Sequence, residues 1–433
     1  MTKMLKISAL VLVGLLLLTM AFIGILYSTR GSPITAVHDV GGKEGAPPVG
    51  SERFLRVFEL LTQGNILAGN RITVATNGDE TYPQLWRDLR SAQRSITLQL
   101  YYMNPGAMAD TLHGILVDRA AAGVRILFLH DAFGSQNIPD EYLESLRRVG
   151  VEVATFRPVH WYSIHKAQSR SHIRVVVVDG SIGWTGGFGI DDKWFGDGRT
   201  NGAWRDTNAR FIGPAVMQLQ ATFTAGWAEA TGSLITGQQF FPMEGFETDG
   251  GQSAALLHTA PTIGSTAAER YLALSIAAAR NTLYITNSYF VPDDDFRRML
   301  TEAARSGVDV RILTTSDETD VKLTWLAGRA HYEQLLAGGV RVYEYQPTMM
   351  HAKTLVADGQ WSSIGTLNFD NRSLVFNDES ILVSLNEEIG AQLDSIFMKD
   401  LEHATEMRLE TFRQRPWYSK VQEWGASRLG RLL

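Results

Sequence analysis

Cysteine is absent from this 433-residue chain. Disulfides, thiolate metal sites and a cysteine nucleophile are therefore excluded, while the redox compartment stays open. A basic surplus is lacking as well: 40 Lys and Arg against 46 Asp and Glu give a formal net charge of −6. Nucleic-acid binders carry a basic footprint, so that partner is disfavoured. An anionic lipid is not, because local patches can differ in sign from the total. Charged residues make up 20% of the chain against 45% hydrophobic ones, the balance of a folded protein. At this length two similar units plus extras fit better than one core.

Charge is missing most completely near the N-terminus. Residues 7–27 are 21 positions without a charged side chain. At ~1.5 Å per residue that run crosses a bilayer core of roughly 30 Å. A cleaved signal peptide has a shorter apolar core, about 7–15 residues, and a small-residue cut site that is not evident here. The favoured reading is an uncleaved single-pass anchor over 1–30. Lys3 and Lys6 precede the span and only Arg30 follows closely, which places the N-terminus in the cytoplasm and the body outside. A Gly/Pro/polar linker follows over 31–52.

Beyond it, strand-like and helix-like segments alternate. Residues 95–102, 124–129 and 151–156 read as strands, with helical stretches between them. The same order returns at 282–286, 308–313 and 340–345, and the two series share words such as Gly123-Val124-Arg125-Ile126-Leu127 and Val310-Arg311-Ile312-Leu313. This is an internal duplication: a first unit over 53–232, a connecting segment over 233–265, a second unit over 266–407 and a basic, aromatic tail over 408–433. The expected fold is α/β, with mostly parallel sheets flanked by helices.

Each series ends in a histidine motif. In His351-Ala352-Lys353 the residues at i and i+2 share one face of a strand, and Asp358 follows seven positions after the histidine. That odd offset sets Asp358 on the other face or at the strand's end, as an anchor. Gly365-Thr366-Leu367-Asn368 then brings a backbone amide, a hydroxyl and a carboxamide. Such a set suits a phosphate: imidazole serves as nucleophile or acid near neutral pH, and a cation with neutral donors holds the oxygens without a metal. The first copy reads His172-Ile173-Arg174, with Asp179 at the same offset, but has arginine for lysine and ends in Gly186-Gly187-Phe188-Gly189. Arginine stays cationic but is longer and planar, and Gly189 offers no side-chain donor. One such match arises by chance now and then; two in equivalent places of a duplication are far rarer.

The paired motif resembles the signature of the phospholipase D superfamily. The text at 70–78, 131–135, 204–207, 213–216, 289–293 and 371–373 looks specifically like bacterial cardiolipin synthases, and the similarity runs over about 54–407. The resemblance implies a two-step transfer without cofactor or metal. One histidine attacks the phosphodiester of a phospholipid and becomes a phosphohistidine; the other protonates the leaving alcohol and then deprotonates the acceptor. By family pattern His172 is the nucleophile and His351 the acid/base, with Arg174, Lys353 and Asn368 around the phosphate; the order of the two histidines stays open. A carboxylate behind each histidine is also implied, which nominates Asp206 and Glu379. The implied reaction is cardiolipin synthesis from two phosphatidylglycerol molecules with release of glycerol, at a bacterial inner membrane. Phospholipase D hydrolysis to phosphatidic acid, a nuclease, and a non-catalytic lipid-binding protein with a decayed first motif are the rivals. Oligomeric state is not legible.

Other signals have plainer readings. His130, Asp131, His160 and His165 lack metal-ligand spacing and read as structural, with His165-Lys166 a lesser candidate for the site's entrance. Gln99 stands where many relatives carry an acid. The tail interleaves Arg413, Lys420 and Arg428 with Trp417, Tyr418 and Trp424, which suits either a segment on anionic lipid or a terminal helix packed on the body.

Overall fold

The computed structural model describes residues 2–28, 34–37, 45–158, 169–242, 250–262 and 264–429. Residues 31–33 and 38–44 of the expected linker, and His160, His165 and Lys166, lie outside them. The first half contributes β1 (Leu67–Thr76), β2 (Ser95–Leu100), β3 (Arg125–Asp131), β4 (Glu152–Phe156), β5 (Val175–Val178), β6 (Ile182–Gly186) and β7 (Thr207–Ile212). The second contributes β8 (Gln252–Thr259), β9 (Thr282–Asn287), β10 (Asp309–Thr315), β11 (Arg341–Tyr345), β12 (Lys353–Ala357), β13 (Trp361–Gly365), β14 (Glu379–Leu385) and β15 (Ala404–Met407). They join in one 15-stranded sheet, ordered β15-β11-β10-β9-β12-β13-β14-β8-β1-β7-β6-β5-β2-β3-β4.

Read outward from the β8–β1 junction, the two arms repeat each other. The first runs β1-β7-β6-β5-β2-β3-β4, the second β8-β14-β13-β12-β9-β10-β11, with β15 added at its edge. The duplication is therefore a duplication of topology. Strand β8 falls within 233–265, where the sequence suggested only a connecting segment.

The sheet is mixed, which corrects the expectation of mostly parallel pairing. Parallel ladders are confined to β2–β3–β4 and β9–β10–β11; the other neighbours are antiparallel. The reason is local. Asp179-Gly180 (φ 53 and 67°) and Asp358-Gly359 (φ 53 and 65°) adopt left-handed conformations that fold β5 back on β6 and β12 back on β13. Each aspartate also ties its hairpin to the neighbouring strand. Asp358 accepts the N–H groups of Arg280, Asn281 and Thr282, and Asp179 those of Gln93, Arg94 and Ser95.

Helices cover both faces. Leu98 and Val176 share a core with Leu85 and Leu112 on one side. On the other, Leu127 and Val175 pack with Phe223 of helix Ala215–Thr231 and Leu393 of helix Glu387–Leu401. That last cluster draws on both halves and fastens one arm to the other.

The expected anchor is not upheld. A helix spans Thr2–Ser28. Among the described residues no helix is long and apolar enough to cross a membrane. The single-pass placement, and the extracytoplasmic body deduced from it, are withdrawn.

Candidate active site

His172 and His351 stand just before β5 and β12, and each backbone is held by the opposite half. His172 N–H donates to Asp378 O at 2.9 Å and His351 N–H to Arg205 O at 2.7 Å. The rings are held the same way. Nδ1 of His172 lies 2.9 Å from Glu379 Oε2, at the start of β14. Nδ1 of His351 lies 2.9 Å from Asp206 Oδ2, one residue before β7. The carboxylates nominated from the sequence are thus crossed: each half supplies the partner for the other half's histidine. With Nδ1 engaged, Nε2 of each ring is left for the cleft that both residues line.

The two cations behave as counterparts. Lys353 Nζ donates to His351 O at 2.5 Å and to Ser288 Oγ at 2.8 Å. Arg174 Nη1 donates to His172 O at 2.8 Å, and its Nε to Phe188 O at 3.2 Å. Both side chains are buried. The longer arginine satisfies a second carbonyl where lysine meets a hydroxyl.

The other departures of the first motif have a structural cause. In the second half, Thr366 Oγ1 donates to Glu379. Its counterpart is Gly187, where a Cβ would come 2.3 Å from Asp206 Oδ1; the donor to Asp206 is instead Trp194 Nε1, at 2.9 Å. Gly189 stands where the second half has Asn368, and a Cβ there would come 3.0 Å from the Trp194 ring. One indole therefore fills the space beside Gly189 and supplies the hydrogen bond to Asp206 that no side chain at 187 can make. The first copy is rebuilt around Trp194.

The cleft has a volume of about 300 Å³. His172, His351, Arg174, Arg372 and Asn368 face it, with Tyr101, Tyr289, Trp194 and Trp204 as aromatic walls. Tyr101 meets the His172 ring edge-on at 5.1 Å, and Trp194 does the same to His351. The Asn368 carboxamide oxygen is buried without a hydrogen-bond partner among the described residues. Asp179 and Asp358 are not on the cleft; they sit at the far ends of β5 and β12 from the histidines.

Burial dominates the electrostatics. It pushes His172 well below its usual range, with Arg174 and Lys353 adding to the effect. It brings His351 down to about 3, aided by Lys353 and opposed by Asp206, and it lowers Lys353 to about 7. Burial raises Glu379 to about 7. Asp206 is also raised by burial, but the His351 and Lys353 charges outweigh this and its carboxyl ends up lowered. An entering phosphate anion favours the protonated form of both imidazoles.

Three features were given no role from the sequence: Trp194, the paired tyrosines Tyr101 and Tyr289, and Arg372, although Tyr289 and Arg372 lie in stretches that carry the resemblance. The tyrosines were detectable, since each lies just beyond the end of an equivalent strand, β2 or β9. Gln99 gains a role: buried beside the site, its Nε2 donates to Ser171 Oγ at 2.7 Å, next to His172, a bond an ionised acid cannot donate. His130, hydrogen-bonded to Ser135 and Thr155, is structural. No group of three or more His, Cys, Asp or Glu side chains among the described residues is arranged to hold a metal.

A family model described as "Cardiolipin synthase, PLD-like domain" matches residues 85–227 and 272–401. The cardiolipin synthase of Geobacillus kaustophilus (strain HTA426) is 32% identical over 370 residues, 85% of this chain and 74% of that protein. That of Halalkalibacterium halodurans is 34% identical over 371 residues, 85% of this chain and 73% of its own. Among solved structures, the phosphatidylserine synthase of Haemophilus influenzae Rd KW20 matches with a TM-score of 0.67 at 13% identity, covering 88% of this chain and 100% of that one, a likeness of fold. The family match takes in both histidine motifs and both crossed carboxylates, and the chain belongs to the cardiolipin synthase family of phospholipase D-like proteins.

Proposed function

We propose that the chain synthesises cardiolipin from two phosphatidylglycerol molecules, with release of glycerol. The observation that carries this reading is the crossed arrangement: two buried imidazoles, each with Nδ1 on a carboxylate of the other half, line one cleft with Arg174, while Lys353 is buried against the His351 carbonyl. The cardiolipin synthases it resembles align with 85% of the chain.

In the first step His172 Nε2 attacks the phosphorus of one phosphatidylglycerol. A P–N bond forms, the P–O bond to the terminal glycerol breaks, and His351 delivers a proton to the departing oxygen. In the second step His351 takes the proton of a glycerol hydroxyl on a second phosphatidylglycerol. The new P–O bond forms as the P–N bond breaks. Arg174, Lys353 and the Asn368 carboxamide neutralise or orient the phosphate oxygens, while Asp179 and Asp358 hold the hairpins that carry the histidines. The carboxylates support this order of roles. Asp206, held low, is charged behind His351 and stabilises its imidazolium, whereas Glu379, raised to about 7, favours a neutral His172. The aromatic walls suit a lipid alcohol better than bulk water, and the bilayer is the source of both substrates.

Purified protein is given phosphatidylglycerol in detergent and the lipids are separated. Cardiolipin with one glycerol per turnover supports the synthase; phosphatidic acid as the main product replaces it with a hydrolase; absence of turnover removes the catalytic reading.

A further inference from the structure

The C-terminal helix Trp417–Ser427 has two unlike faces. One is seated: Ala426 packs with Ala327 and Val291, and the buried Glu423 carboxylate meets Arg415 at 2.7 Å and Arg329 at 3.4 Å. Arg329 also holds Glu344 of β11 at 2.7 Å, so the helix is fixed to the sheet. The other face carries Trp417 (76% exposed), Tyr418 (56%), Val421 (55%) and Trp424 (58%). Offsets of one, four and seven residues place them on one stripe. Nothing in the seating of the helix requires two indoles in water.

Charge distinguishes this stripe from an ordinary apolar patch. The helix and its approach carry Arg408, Arg413, Arg415, Lys420 and Arg428 against Glu410 and Glu423; Arg415 and Glu423 answer each other in a buried ion pair and Arg413 meets Glu333, which leaves Arg408, Lys420 and Arg428 against Glu410. The exposed surface is therefore cationic in a chain whose net charge is −6. The Arg428 guanidinium lies 5.0 Å over the Trp424 ring. Indoles and a tyrosine among basic residues match the boundary of an anionic lipid surface, where rings sit at headgroup depth and cations meet phosphate.

Position is the third observation. The helix packs on Lys322–Arg329, whose Thr324 lines the catalytic cleft together with Asp320 and Val321. Val321 and Leu323 expose apolar surface there, and Phe133, 53% exposed, lies on the same cleft. We propose that the C-terminal helix is an interfacial foot that seats the mouth of the cleft on an anionic lipid surface. The proposal rests on the reading of an anionic phospholipid as substrate, and it assigns the delivery of that lipid to Trp417, Tyr418, Val421 and Trp424.

Trp417 and Trp424 are the exposed tryptophans among the described residues, so fluorescence reports on them directly. Full-length protein is mixed with vesicles of chain-brominated phosphatidylglycerol, and separately of brominated phosphatidylcholine. Quenching is expected with the first, weaker with the second, and lost in the W417F/W424F variant, which keeps aromatic rings but not indoles. This arm needs no turnover, so it stands or falls apart from the reaction itself. In W417S/W424S, turnover on vesicles is expected to fall about tenfold, while turnover of phosphatidylglycerol in excess nonionic detergent stays within about twofold. A structural role would lower both rates together. Unquenched indoles, unchanged vesicle turnover, or a change of oligomeric mass in W417S/W424S would each overturn the proposal, the last by making the stripe a contact between copies.

Discussion

His172, in the first half of the chain, holds its ring against Glu379, in the second, with Nδ1 and Oε2 2.9 Å apart. His351 and Asp206 repeat the bond in the opposite direction. Neither half therefore contains a finished histidine. The site exists only where the two arms of the sheet meet at β1 and β8, and a core shared by helices Ala215–Thr231 and Glu387–Leu401 holds them there.

The crossed pairs make the carboxylates unequal. Asp206→Asn removes the charge that stabilises a protonated His351, so kcat is expected to fall about 10²- to 10⁴-fold. Glu379→Gln keeps a hydrogen-bond acceptor beside the histidine proposed as the neutral nucleophile, and its loss should be the smaller. Steady-state rates of the two variants, with circular dichroism to confirm folding, check the order. Equal losses would mean that the two histidines do not divide the roles as assigned.

Arg174→Lys would restore the family's residue but not its surroundings. A lysine can reach His172 O as Lys353 reaches His351 O, yet it leaves Phe188 O without the donor it now has at 3.2 Å. A loss of about 1–3 kcal/mol in stability is expected for that unpaired buried group, with activity down roughly tenfold. Denaturant unfolding and initial rates test this. A variant at least as stable and active as the parent would mean the arginine is not fitted to its site.

Gly189→Asn offers a second test of the rebuilt first motif. The new side chain meets the Trp194 ring, since even a Cβ comes within 3.0 Å, and it displaces the indole that donates to Asp206. Activity should drop by more than about tenfold. Trp194→Ala, which also loses that donor, is expected to relieve the clash, so the double variant should be less impaired than the sum of the singles. Additive losses would count against the steric account.

Lys353 sets the alkaline limb of the pH profile. Burial lowers it to about 7, so in the free enzyme the ammonium is charged below that pH and neutral above it. The logarithm of kcat/KM should therefore decline as pH rises through about 7. Bound phosphate restores the charge, and the limb in kcat should lie higher. Lys353→Arg, which stays charged, should flatten the limb even if the overall rate falls. A profile unchanged in shape would assign the limb elsewhere.

Much of this site was legible because its parts are local. The i, i+2 spacing of His351 and Lys353 and its echo at His172 and Arg174 need only one strand each. The duplication could be read from short repeated words. Asp358 was placed as an anchor by its odd offset, and its carboxylate, like that of Asp179, binds the start of the adjacent strand. What could not be read is what only the tertiary fold decides. Asp206 and Glu379 were nominated by resemblance, but no pattern along one chain says that they cross. Trp194 lies in a short turn with no periodicity, so Gly189 looked like decay when it is room for an indole. The mixed sheet was a missed turn signal: Asp-Gly stood after both motifs and was passed over in favour of the βαβ pattern around it. The single-pass anchor was read from an uncharged run alone, and among the described residues no helix is long and apolar enough to cross a membrane.

The central claim is that the two halves make one transfer site in which His172 becomes covalently attached. Protein turning over phosphatidylglycerol is quenched within the first turnovers in denaturant, digested, and its peptides are weighed. The expected result is a phosphatidyl adduct on the peptide carrying His172, absent from His172→Ala. An adduct on His351 in its place, or active enzyme with no adduct on either histidine, would contradict it.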